Sequence, residues 1–173
     1  MATATNTTAA FYSKDRAHAH TPVSRSFNHP VACLDAFIDR EQRLDTPGVD
    51  VLSSTFAKDL TEAEAAREAL CEAVGDTLIA PDYRPADGSL RRLAHVLYLM
   101  LTIEDDGDRQ HLHQSTITHR DIFWIEGQTA AARLTRRLSN SFFSHFDEMT
   151  SLREFGGDGY FDCREQDFAP VPA

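Results

Sequence analysis

The sequence predicts an all-α fold, a single-domain bundle of about five helices between a flexible N-terminal arm and an extended C-terminal tail. Three observations lead there. Apolar residues recur at helical spacing in several long segments. No run keeps the alternation of a half-buried strand. Proline, glycine and capping residues interrupt the chain where helices would need to end.

The arm is residues 1–27, rich in Ala, Thr and Ser, without periodicity. Its composition, with Lys14, Arg16 and Arg25, also loosely resembles an organelle transit peptide. The helical domain then spans 28–155. Asn28 reads as an N-cap and Pro30 as a first-turn proline, ahead of Val31, Leu34, Phe37, Ile38 and Leu44 on one face. "DTPGVD" ends that helix, and "VLSSTFAKD" reads as a short one. Thr61 and Glu64 fit a capping box. Behind them Ala66, Ala69, Leu70, Ala73, Val74, Thr77 and Leu78 share a face opposite Glu64, Glu68 and Glu72, up to the stop before Pro81.

Asp87 or Ser89 would cap the next segment, "LRRLAHVLYLMLTIE". Its polar strip is narrow, Arg91, His95, Thr102 and Arg92, which predicts the central helix on which the others pack. In the last helix Leu134, Leu138, Phe142, Phe146, Met149 and Leu152 form a stripe that runs to the pair Gly156–Gly157. His145 falls within this stripe, a core position. "THRDIFWIEG" fits either a helical turn or an extended piece.

Between the central and last helices lies "IEDDGDRQHLHQSTITH", residues 103–119, with four carboxylates, three histidines and an arginine. Calcium is a poor match. A loop counted from Glu104 places Arg109 at the glycine position and Ser115 at the closing glutamate position. On an extended segment His111 and His113 would point the same way, and His119 could join them as a metal ligand set. Known histidine templates fail here, and helical carboxylate sites need E-x-x-H, whereas His145 and Glu148 run in the reverse order. "HRD" at 119–121 lacks the asparagine of a kinase loop, since Glu126 stands there. Nucleotide-binding glycine loops and nucleophile elbows are absent from the sequence. The expected structure of 103–119 is therefore a hydrated inter-helix loop.

The chain carries a formal net charge of −10, so phosphate backbones and anionic lipids repel it. Arg133, Arg136 and Arg137 form one short basic stripe, which reads as a solvated face. Three irregularly spaced cysteines suggest neither disulfides nor a zinc site and fit a reducing cytoplasm. Cys33 and Cys71 read as small core residues, and Cys163 as the most exposed thiol. The longest apolar run is too short for a membrane span.

Eleven phenylalanines exceed what the core needs. Phe123, Trp124 and Phe143 are therefore candidate interface anchors, unless a second layer of the same chain covers them. The acidic tail, 156–173, adds Tyr160, Phe161 and Phe168, spaced as if to lie across a surface. The function expected is that of an acidic accessory or structural subunit, with no catalytic residues and no cofactor. It would act by contact with a protein partner or another copy of itself, and not with nucleic acid or membrane. Two other readings stand beside it: a helical metal-dependent enzyme or sensor using His111, His113 and His119, and a nucleic-acid-associated regulator using the arginine stripe.

Overall fold

The first helix, α1, spans Pro22–Leu44, starting ahead of the expected Asn28. The computed structural model describes residues 20–155, apart from 47 and 49. Thr21 is the N-cap: its hydroxyl accepts from the Ser24 amide at 3.1 Å, and the Thr21 amide donates to Ser24 Oγ at 2.8 Å. Pro22 sits at the first helical position, where its missing N–H costs nothing. Pro30 therefore lies inside the helix rather than at its start. A proline there removes one backbone bond. Val23 and Phe27 extend the apolar stripe of Val31, Leu34 and Ile38 one turn after another, and all five are buried. Residues 22–27, expected in the arm, thus belong to the bundle.

Helix α2, Ser54–Ile79, merges the two helices expected on either side of Thr61. The cap is Ser53, which accepts from the Phe56 amide at 3.1 Å. Thr61 is interior, and its hydroxyl bonds back to the Ala57 carbonyl at 3.0 Å. No proline or glycine stands between Ser54 and Thr61 to stop the helix. The glutamate face is exposed as expected, and Ala63, Leu70, Ala73, Val74 and Thr77 are buried. Helices α1 and α2 are antiparallel: Arg40 pairs with Glu62 at one end, and the Thr77 hydroxyl donates to Ser26 Oγ at 3.2 Å at the other.

Helix α3, Pro85–Thr102, contacts α1, α2, the helix before the last and the last helix, as its narrow polar strip predicts. It begins at a proline, two positions ahead of Asp87. Asp87 is only 2% exposed. One carboxylate oxygen takes the Thr21 hydroxyl at 2.6 Å; the other takes the Tyr83 and Arg84 amides at 3.0 and 3.1 Å. This single side chain joins the N-terminal ends of α1 and α3.

Helix α4 spans Asp106–Thr118 and α5 spans Ala130–Met149, with 3-10 turns at Arg120–Phe123 and Arg153–Phe155. Thr129 caps α5, accepting from the Ala132 amide at 3.1 Å. The helix stops before the expected glycines. Thr150 and Ser151 donate their hydroxyls to the Asp147 and Glu148 carbonyls at 2.8 and 2.6 Å, which satisfies the end of the helix locally. The stripe still continues, because Leu152 and Phe155 in the turn beyond are buried with Leu138, Phe142, Phe146 and Met149. Leu134 is half-buried at its start. Strands are absent among the described residues.

One polar group lies uneasily beside this core. Burial pushes the Glu41 carboxyl above its ordinary range, nearby Asp45 adds to the push, and Arg67 only partly offsets them. A raised folded pKa means that the native state holds the proton more tightly than the unfolded chain. Its contribution to stability is then lost as pH rises through the folded value. Glu41→Gln should therefore melt higher than the parent at neutral pH. The difference should vanish below the ordinary glutamate range, where both side chains are neutral. Thermal melts of the two proteins across that pH interval check the sign.

Candidate functional site

The stretch 103–119 is a helix and not the expected loop. Asp105 caps α4, its carboxylate accepting from the Asp108 amide at 2.9 Å. Asp106 and Asp108 occupy the first turn, where carboxylates oppose the positive end of the helix dipole. The acids that read as loop formers are thus the start signal of a helix, α4.

Helical winding separates the histidines. Residues two apart on an α-helix point about 200° apart. His111 is exposed, His113 is half-buried, and His119 is the exposed C-cap. The three do not converge, and no group of three His, Cys, Asp or Glu side chains suited to a metal exists among the described residues. The same winding brings Arg109 and His113, four apart, onto one inward face.

That face borders a cavity of about 360 Å³ between α3, α4, the end of α5 and the last turn. Arg109 stacks over the Phe155 ring at 5.3 Å and pairs with Asp106. Gln110, Thr150 and Met100 complete much of the wall. His113 lies 5.4 Å from the Phe146 ring and fastens α4 to α5, its Nε2 3.1 Å from Asp147 Oδ1 and 3.4 Å from Thr150 Oγ1. These contacts do not form a nucleophilic relay. Such a relay needs the hydroxyl and the carboxylate on opposite ring nitrogens, and here both approach the same one. The Thr150 hydroxyl, moreover, donates to the Asp147 carbonyl. His145, on α5, is half-buried with Nδ1 3.7 Å from Asp35 Oδ1, beyond hydrogen-bond reach.

The second feature is the turn after α4. Phe123 and Phe143, expected as interface anchors, are buried against each other with ring centroids 5.9 Å apart. The turn folds the one over the other, and Arg120 covers Phe143 at 4.3 Å while donating to Asn140 Oδ1 at 3.0 Å. The second layer that hides them is the chain itself. Their neighbours face outward: Ile122 is 52% and Trp124 56% exposed. Arg136 donates to the Ile125 and Gly127 carbonyls at 3.1 and 2.8 Å and lies 5.6 Å from the Trp124 ring. Arg92 donates to the Ile122 carbonyl at 3.4 Å. Gly127 has φ of +104°, a conformation that disfavours other residues.

Arg136 is therefore a clamp on this loop and not part of a free basic stripe; Arg133 and Arg137 are exposed. Arginines spaced about three residues apart beside a glycine-containing loop carry no distinctive sequence signal for that role. Cys33 is half-buried and burial raises its thiol pKa, whereas Cys71 is exposed rather than in the core. Tyr160, Phe161, Phe168 and Cys163 lie outside the described residues.

No protein-family model matches this chain, and comparisons with curated proteins and with solved structures find no match.

Proposed function

We propose that this chain is a small helical accessory or structural subunit that acts through protein–protein contact, with Trp124 and Ile122 as its anchors. One observation carries the reading. Two large apolar side chains, each more than half exposed, stand on a segment whose backbone Arg92 and Arg136 tie down. An exposed tryptophan on a loose loop loses conformational freedom when it docks. One already held loses less, so more of its contact energy becomes affinity. Tyr98 and Leu99 add exposed apolar surface on α3, the helix that contacts this turn. A buried tryptophan anchor contributes about 2 kcal/mol or more to an interface.

The partner in this proposal is another protein or a second copy of the chain, in a reducing cytoplasmic setting. Among the described residues no helix is long and apolar enough to cross a membrane. The net charge of −10 weighs against nucleic acid.

The test is purification of the tagged full chain from its native source, with light scattering to detect self-association. A partner in fixed stoichiometry, or a defined oligomer, is expected. Ile122→Ser with Trp124→Ser should weaken that association at least tenfold. The variant should still melt cooperatively, each substitution costing about 1 kcal/mol, since both side chains are nearly half buried and Trp124 lies beside Arg136. Association that survives the double substitution at full strength would overturn the assignment of these anchors.

A further inference from the structure

We infer that the groove between the N-terminal halves of α1 and α5 is the docking site of this chain's own C-terminal tail, residues 156–173. The groove shares no residue with the Trp124 surface and stands independently of it.

The distribution of charge carries the argument. The chain has 27 Asp and Glu residues, yet none falls within 20–34 or 127–146. The first segment holds the N-terminal half of α1, and the second holds most of α5. These helices run parallel: the Phe27 ring lies 6.0 Å from Phe142, and further along both helices Gln42 reaches Glu148 at 3.1 Å. Their acid-free parts therefore lie side by side. Elsewhere cations are paired locally, as Arg40 and Lys58 are by Glu62 and Arg91 is by Asp82. Arg25, Arg133 and Arg137 are exposed and have no carboxylate partner among the described residues. Asp87, beside Thr21, offers them nothing, since it is buried with both oxygens bonded. Arg25 and Arg137 border a cavity of about 240 Å³, where Ser24 and Asn28 add polar groups and half-buried Leu134 adds an apolar strip. Such a groove suits an acidic segment that also carries apolar side chains.

The tail has that chemistry. Asp158, Asp162, Glu165 and Asp167 stand against a single base, Arg164, and Tyr160, Phe161 and Phe168 sit next to or two residues from an acid. It also starts within reach. The described chain ends at Phe155, whose ring lies 6.2 Å from Phe37. Arg25 precedes Phe37 on α1 by about 18 Å of helix rise. An extended chain covers about 3.3 Å per residue, so Glu165, Asp167 and Phe168 reach the arginines with length to spare. The tether selects this occupant over a free acidic partner. A linked segment faces its site at an effective concentration of about 1 mM, which suffices for a contact too weak to hold a separate peptide.

The experiment places a nitroxide on Cys163 of the full chain, with Cys33→Ser and Cys71→Ser so that only the tail is labelled. The amide signals of Ser24, Arg25, Asn28, Leu134 and Arg137 should broaden, and those of Glu64, Glu68 and Glu72 on the exposed face of α2 should not. Asp162→Asn, Glu165→Gln and Asp167→Asn together leave the bundle untouched and should reduce the broadening by about threefold or more, as expected when surface ion pairs are lost. Arg25→Gln with Arg137→Gln should do the same in a protein whose melt shows it folded. A mixture of isotope-labelled chains without nitroxide and nitroxide-labelled chains without isotope should show no broadening at these amides. Three results would overturn the proposal: broadening absent or spread evenly over the surface, broadening that survives both sets of substitutions, or broadening carried between chains in the mixture, which would make a second copy's tail the occupant.

Discussion

Replacing Phe142 with alanine is expected to destabilise the bundle by about 3–5 kcal/mol, the usual range for a fully buried phenylalanine. Phe142 is completely buried and central to the aromatic core. Its ring lies 5.2 Å from Phe146, 5.5 Å from Phe143 and 6.0 Å from Phe27, so it joins α1 to α5 and supports the layer that covers Phe123. The cost combines lost burial with a cavity that these large rings cannot easily close. Small domains have only about 5–15 kcal/mol of stability in total, so the substitution removes a large share. Phe142→Leu keeps most of the volume and should cost less, about 1.5 kcal/mol. Urea unfolding of the three proteins measures both differences. A Phe142→Ala loss below about 1 kcal/mol would mean that the rings repack freely and that the aromatic cluster is not a fixed support.

Asp87→Ala is expected to have the next largest effect, about 3 kcal/mol, because it leaves three donors without an acceptor in a buried place. Those donors are the Thr21 hydroxyl and the Tyr83 and Arg84 amides. Asp87→Asn tests the electrostatic part. An asparagine has the same shape, but one of its two terminal atoms becomes an NH₂ that faces a donor. It should therefore still cost about 2 kcal/mol. The link between helices is tested by a double-mutant cycle with Thr21→Val. Contacting residues of this kind couple by about 0.5–3 kcal/mol. Strict additivity of the two substitutions would mean that the 2.6 Å bond contributes nothing to holding α1 against α3.

Local chemistry made much of this protein legible in its sequence. The stripe from Leu138 through Met149, the glutamate face of α2 and the nearly all-apolar α3 each require a helix, because only a period near 3.6 gathers those residues on one side. The break before Pro81 follows equally from backbone sterics. These patterns determine an all-α bundle without reference to any partner helix.

Sequence pattern and structure diverge where a local signal has a second use. Pro30 is a good helix start, and it is tolerated inside α1 because Val23 and Phe27 are buried on the same face. Thr61 and Glu64 fit a capping box, but Ser53 had already begun the helix. The acids of 105–108 suit a turn as well as an N-terminus, and α4 takes shape with Leu112 and Ile117 packed against the core. Once that segment is helical, His111, His113 and His119 are parted and Arg109 and His113 are brought together. The candidate cavity could not be read in advance, since it depends on Met100, Arg109, Thr150 and Phe155 meeting from four elements.

The sequence by itself determined that the chain is helical and where the apolar stripes of α3 and α5 lie, because those follow from the chain's own period and its breaking residues. Only the tertiary structure decided which large apolar residues remain outside. Phe123 and Phe143 hide each other, whereas Ile122 and Trp124 stay exposed. The physical reason is that exposure is a property of pairs of elements: a ring is buried when another segment, distant in sequence, arrives at the right height and angle to cover it.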